Sequence, residues 1–564
     1  MNSIDVRQRK LRPLWALALL AIVGAHDALA EKQTLCTITV NSSDEKEEFR
    51  RSLPPDKFQF VELVEEGRPD WLASACRQGV RCDVLVISGH YDGRDEFYSD
   101  RPGTEEFLPV EEMERASCSN SCSGLFSQLK EVYLFGCNTL NPEALKRASP
   151  EIERSLVRSG HSPADAERLF RALSLRYGES SRDRMRLIFK GVPAIYGFSA
   201  KAPIGPAAAS MLRSYFRSGG GSEVGGGRTN PRLRATFASS TMAVASGLSD
   251  ADALAPFRRD VCQFSDDRLS SAQKLDFVHR LMGRDMTEVR LFLDRIEKYV
   301  AAVSATGRQT PEVAEALREI ASDQGARSRY LEFARDADQP LVRARMIKLA
   351  GRLGWLSPED ERAEIVRMVD DRLARNAVSP ADVDLVCVLN EDRNLDQELP
   401  RVHPLQPDAD TVAQAAILAC LGSAAARARV LFALTSPDEN EAQIAQAYVL
   451  RRPIAKVDEL RDVTSGIARM NDSAAQARAL DTLAGQHLVD PDSLEELAQL
   501  FQVAQSPRVQ AAIAGILIHS DYQAIATPEL AQSLRESRLT PPSHSDPIDI
   551  LLRRLEVGSV ASAP

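Results

Sequence analysis

The chain is 564 residues long, with 44% hydrophobic and 27% charged residues, a formal charge of −10 and nine cysteines. That length exceeds what a single core supports and points to two or more domains of ordinary globular composition. The acidic balance excludes nucleic acid as the main partner, because phosphate binding wants a basic face.

Residues 1–30 stand apart. Arg7, Arg9, Lys10 and Arg12 precede the apolar run "PLWALALLAIVGA", which closes on Ala28-Leu29-Ala30. A basic region, a short apolar region and an A-x-A end read as a secretory signal cut after Ala30. The alternative, an uncleaved anchor, has a run short of the roughly 20 apolar residues that a span needs. No later stretch of sequence is apolar enough to cross a membrane. The mature chain is therefore expected in a periplasm or outside the cell, with no stable membrane span. Cysteines tend to pair in such oxidising surroundings. All nine lie beyond residue 30, so one is left over. Cys76 with Cys82, Cys118 with Cys122, and Cys387 with Cys420 are plausible local pairs, and Cys137 is the candidate for the odd thiol.

From residue 34 the pattern alternates between short apolar runs and helical stretches. "TLCTITV" predicts a buried strand, "DEKEEFRRSL" a helix with an acidic first turn, and "FQFVELV" a second strand. A helix opening at Pro69, a strand over 84–88, and a fourth strand in "EVYLFGC" follow, the last two separated by a long loop. "GVPAIYGFS" predicts a fifth strand, and "GPAAASMLRSYF" the helix after it. Strands alternating with helices indicate an α/β fold over 31–250, a mostly parallel sheet sandwiched by helices. "SGGGSEVGGGR" at 218–228 reads as a flexible loop, since it lacks the Lys-Ser/Thr ending of a phosphate loop.

Over 251–548 helical periodicity takes over and predicts an all-α domain. "LVRARMIKLAGRL" sets Val342, Met346, Leu349 and Leu353 on one face. Segments opening at 438, 472 and 506 superpose Ala442-Gln443, Ala475-Gln476 and Val509-Gln510, in steps of 33 and 34 residues. A looser copy opens at 408. Small apolar residues recurring on one face suggest stacked helical pairs, loosely similar to HEAT repeats, which would offer a surface to a protein partner. An irregular helical domain is the alternative. Residues 549–564 read as a final short helix and tail.

Chemistry gathers at two strand ends. In open α/β sheets the working site lies at the carboxyl ends of the strands. That rule falls on His90, in "DVLVISGHYDG", and on Cys137, in "EVYLFGCNTL", 47 positions apart. A thiol beside an imidazole is an activated nucleophile, and the imidazole can then protonate a leaving amine. Taken alone, such a Cys is more often a small buried hydrophobe and such a His a loop residue. The ordered set "DVLVISGHYDG", "LPVEEMERA", "EVYLFGCNTL" and "GVPAIYGFSAKAPIGPAAASMLRSYF", spanning about 34–245, resembles the caspase–hemoglobinase fold, nearest to caspase-like peptidases of the CHAT type. The resemblance implies a cysteine endopeptidase with His90 as acid/base and Cys137 as nucleophile. It also implies an oxyanion site built from backbone N–H groups around them, at Gly89, Tyr91 and Gly136. The substrate would be a protein or peptide, with no metal or other cofactor. One departure stands out: the family usually has Gly directly after the histidine, and here Tyr91 stands there, able to tighten the site or obstruct it. A catalytically inactive scaffold is the alternative function, and a zymogen cut in "GGGRTNPRLR" a third.

Other residues carry weaker signals. Cys118-x3-Cys122 reads first as a disulfide and second as half of a zinc site that lacks its other ligands. His161 opens a helix and reads as structural. Lys201 and Asp44, each just beyond a strand, could pair a charged substrate side chain but read more simply as solvated charges.

Overall fold

Val84–Ser88, Glu131–Phe135 and Ala194–Phe198 are buried at every position, as strands covered on both faces must be. They form the middle of a six-stranded sheet in the computed structural model of the chain. The structure describes residues 32–63, 71–93, 95–100, 106–122, 124–143, 156–157, 162–169, 180–306, 310–337, 339–374, 378–396, 406, 410–542 and 546–561. The signal read over 1–30 and His161 lie outside these residues. No helix among them is long and apolar enough to cross a membrane.

The strands are β1 (Gln33–Thr39), β2 (Phe58–Glu62), β3 (Val84–Ser88), β4 (His90–Tyr91), β5 (Glu96–Tyr98), β6 (Phe107–Pro109), β7 (Glu131–Phe135), β8 (Ala194–Phe198) and β9 (Met242–Ala245). The main sheet runs β2-β1-β3-β7-β8-β9, parallel throughout except for β9 at one edge. β4, β5 and β6 form a separate antiparallel ribbon. The five expected parallel strands are thus present; β9 and the ribbon are additions that the sequence did not suggest. Alternate residues feed two cores. Leu85, Ile87, Val132 and Leu134 meet Met113, Ile188 and Phe189 on one face. Val84, Val86, Tyr133 and Phe135 meet Phe49, Leu212 and Tyr215 on the other. Helices α1 (Asp44–Ser52) and Gly205–Arg217 cover the second face, and α2 (Trp71–Arg77), α3 (Val110–Cys118) and Ser181–Ile188 the first.

Two local readings need correction. Cys36 pairs with Cys82, Cys76 with Cys122 and Cys118 with Cys262, while only Cys387–Cys420 joins the partners expected. Nearness in sequence misled: Cys82 enters β3, whose neighbour β1 carries Cys36, and Cys118 ends α3 facing a helix 144 residues away. Both sulfurs of the 118/122 motif are committed to disulfides, which also removes the zinc reading. The glycine-rich stretch is not a loose loop. Gly225 and Gly227 sit at φ of +79° and +65°, and their N–H groups donate to Glu131 at 2.9 and 3.0 Å. A side chain at Gly225 would run into the Gln33 side-chain amide. The Tyr133 hydroxyl donates to the same carboxylate at 2.7 Å. A buried acid therefore organises the stretch, and Asn230 caps the helix Pro231–Thr236 that follows it.

The first compact unit extends past the boundary read at 250, through Tyr299. Helices Ala255–Ser265 and Ser271–Met282 belong to it, as does most of Met286–Thr306. The reasons are covalent and electrostatic. Besides Cys118–Cys262, Arg258 donates to the Leu187 and Ser117 carbonyls, and Arg295 forms a two-pronged pair with buried Glu114.

The second unit is helical, and its helices pack in two rows. Pro380–Leu389, Val412–Cys420, Glu439–Arg451, Ser473–Leu483, Pro507–Ile518 and Pro547–Ala561 contact one another in succession. Ala424–Ala433, Val457–Ala468, Pro491–Val503 and Pro528–Glu536 do the same in the other row. The N-caps Asp438, Asp472 and Ser506 recur every 34 residues, so the first copy in the sequence alignment is out by one position. Chemistry agrees. Buried Gln476 and Gln510 each donate to a carbonyl nine residues back, at Ile467 and Phe501, closing the preceding helix. Gln443 is exposed and reaches only Glu439; the true equivalent is buried Ala442.

Candidate active site

The sheet order reverses between β1 and β3, and the carboxyl ends of the strands beside such a reversal form a crevice. β3 pairs with β7 through Ser88↔Phe135, so both strands end at the same level on adjacent positions. His90 and Cys137 are each two residues beyond that pair. The structure therefore brings the two expected reactive residues to neighbouring strand ends.

Between them the backbones nearly touch. A Cβ on Gly136 would lie 2.9 Å from the Gly89 carbonyl oxygen and 3.0 Å from Tyr91 Cβ, so only glycine fits. Beyond Gly136 the chain turns through Asn138 at φ +60°. Asn138 N–H donates to the Ala200 carbonyl at 2.7 Å, and the buried Thr139 hydroxyl donates to Gly136 O while accepting from Phe198 N–H. This pins the turn to the end of β8. Cys137 is half-buried, and its sulfur accepts a hydrogen bond from Ala202 N–H at 3.3 Å. It is the one unpaired cysteine in the chain. Its own N–H has no acceptor among the described residues.

The imidazole is held from outside the expected set. His90 Nε2 lies 3.0 Å from Asp100 Oδ2, with the His90 side chain 38% exposed. Asn41, just past β1, accepts a hydrogen bond from the Ser99 hydroxyl, next to Asp100 in the chain, at 3.1 Å. The Asn41 side chain, and after it the neighbouring imidazole, hold the Asp100 carboxyl below its ordinary range. A carboxylate on Nε2 selects the tautomer whose Nδ1 is free to act as a base. Sequence reasoning missed Asp100 and Asn41. The only available signal was the alternation in Glu96-Phe97-Tyr98, which makes the ribbon that returns the chain to His90.

Tyr91 does not block the site. It is 4% exposed and packs its ring against Phe97 at 4.8 Å between centroids, on the ribbon face opposite His90. Burial pushes its hydroxyl up to about 12. Of the backbone groups expected at an oxyanion site, Gly89 N–H is already spent on the Phe135 carbonyl at 3.2 Å, a ladder bond that removes it from the set. Asp44 is exposed and accepts from the Ser42 hydroxyl, and Lys201 is exposed. No three His, Cys, Asp or Glu side chains among the described residues are grouped as a metal site requires.

Beneath the strand ends lies a buried acid. Glu45, in the first turn of α1, is 3% exposed, and burial raises its pKa to about 7. Thr39 and Ser88 are register partners on β1 and β3. Thr39 Oγ1, Ser88 Oγ and Glu45 Oε2 lack well-formed hydrogen bonds.

No protein-family model, curated protein or solved structure matches the chain.

Proposed function

We propose that the chain is an exported cysteine endopeptidase of the caspase-like kind, acting through Cys137 and His90. Its second unit is read as a HEAT-like array that takes a protein partner. The observation that carries this reading is the position of the one unpaired cysteine, at a strand end beside the strand end that bears a carboxylate-held histidine. Structural cysteines in oxidising surroundings pair; a thiol left single at the edge of the sheet needs another reason.

On this reading His90 Nδ1 takes the thiol proton, and the sulfur bonds to the scissile carbonyl carbon. As the adduct collapses, the C–N bond breaks and the imidazolium gives its proton to the leaving amine. Water then attacks the thioester and passes a proton to Nδ1. The S–C bond breaks, freeing the acid and restoring the thiol. Dyad, peptide and water supply every proton and electron pair. Cys137 N–H, with no acceptor among the described residues, is the donor this reading assigns to the oxyanion. The scaffold alternative takes Tyr91 as a plug; the packing of its ring against Phe97 in the core favours the peptidase reading. A partner role for the second unit is supported by a groove of about 510 Å³, lined by Gln443, Gln446, Leu450, Pro453, Thr482 and Gln486 among others.

The test is the rate of iodoacetamide labelling in the intact protein. Cys137 should react faster than glutathione and lose that advantage in His90→Ala, and a Cys137→Ala protein should cleave no peptide. A Cys137 that labels only after unfolding refutes the proposal.

A further inference from the structure

The ribbon beside the imidazole has two unlike faces. Tyr91, Phe97 and Leu108 point inward and are essentially buried. Their neighbours point outward: His90 pairs with Tyr98, and Tyr98 with Phe107, so antiparallel register puts all three on the other face. Tyr98 is 38% exposed and Phe107 45%. The His90 and Tyr98 rings lie 5.4 Å apart between centroids, tilted by 31°. The Ser99 N–H to Glu106 carbonyl bond, 3.0 Å, extends the β5–β6 pairing and keeps the row in register. The result is an aromatic strip that starts at the imidazole and crosses the ribbon in steps of about 4.8 Å, the spacing of adjacent strands.

Folding does not require this. A solvent-facing ribbon surface takes polar residues at no cost, and adjacent exposed aromatics at a site edge mark a surface that binds. Its position says what it binds. The imidazole must reach the amine that leaves when the peptide bond breaks. The residue contributing that amine therefore rests at His90, and its side chain lies over the next ring along the strip. We propose that Tyr98 and Phe107 are specificity residues that select a large apolar side chain, aromatic best, immediately after the cleaved bond. This rests on the peptidase reading and deepens it. An aromatic contact of this kind is worth roughly ten-fold in rate against a small polar residue.

The test needs no known substrate. Cys137 is alkylated in the intact protein with iodoacetamide and with N-benzyl iodoacetamide, whose ring occupies the leaving-amine side of the amide. Each rate is normalised to that of glutathione. The benzyl reagent should be favoured about ten-fold in the wild type, and that preference, read as the ratio of the two reagents' rates within each protein, should vanish in Tyr98→Ser/Phe107→Ser. A reactive Cys137 with no benzyl preference, or one that survives the double substitution, overturns this inference and leaves the peptidase reading standing. A Cys137 no faster than glutathione with either reagent ends both.

Discussion

Replacing Glu45 by Gln should stabilise the first unit at high pH and leave it nearly unchanged at low pH. An acid in the first turn of a helix is ordinarily favoured as the anion. Here burial overrides the helix dipole and raises the pKa from 4.5 to about 7. The folded state therefore keeps its proton between about pH 4.5 and 7, while the unfolded chain gives it up. In that window the native state binds more protons, so stability falls as pH rises, and above pH 7 the loss is constant. A shift from 4.5 to about 7 corresponds to about 3 kcal/mol. Gln keeps the shape and hydrogen-bonding capacity and cannot ionise, so Glu45→Gln should gain up to that amount over wild type at pH 8 and almost nothing at pH 4. Hydrogen exchange of the β1 and β3 amides, corrected for intrinsic rates, gives the local opening free energy of both proteins across pH 4–8.5. A difference between the two that stays flat across that range refutes the argument, because it means Glu45 carries the same charge folded and unfolded.

Other consequences are equally specific. Asp100→Ala should slow Cys137 alkylation by roughly 10- to 100-fold, since the carboxylate sets the imidazole's tautomer and orientation; Asp100→Glu should recover part of that rate, as a merely structural role would not predict. Tyr91→Gly should lower stability by about 3–5 kcal/mol, the range for removing a buried aromatic, without raising activity; a more active protein revives the plug. Glu131→Ala leaves the Gly225 and Gly227 N–H groups and the Tyr133 hydroxyl without their acceptor, at about 1–3 kcal/mol each. Trypsin should then cut after Arg228 in the variant and spare the wild type.

How much of this could be read from the chain depended on distance. β1, β3, β7 and β8 are apolar runs buried on both sides, and such runs announce themselves whatever lies beside them. β5, β6 and β9 have three or four residues each, too few for a period to register. The glycine-rich stretch looked loose because composition records freedom and not what removes it, in this case Glu131 lying 94 residues upstream of Gly225. In the second unit the 34-residue period was visible, yet the register slipped at Gln443, where a surface glutamine stands one place from the buried position that its counterparts fill.

The candidate site divides along the same line. That His90 and Cys137 end strands follows from local pattern. That those ends are adjacent depends on strand order, and order is decided by packing that no local pattern records. The same order sets β1 next to β3, so Asn41, two residues past β1, arrives at Ser99, where it lowers the pKa of the neighbouring Asp100, and Asp100 can hold His90. Had β1 lain beyond β2, the same residues at the same strand ends would have left the imidazole without this support. The orienting carboxylate thus depends on topology as much as on any residue, and a chain keeping Asp100 but losing Asn41 tests the point. Asn41→Ala should loosen Asp100 and slow Cys137 alkylation while His90 and Asp100 are both intact; an unchanged rate means that the imidazole is oriented by the ribbon alone.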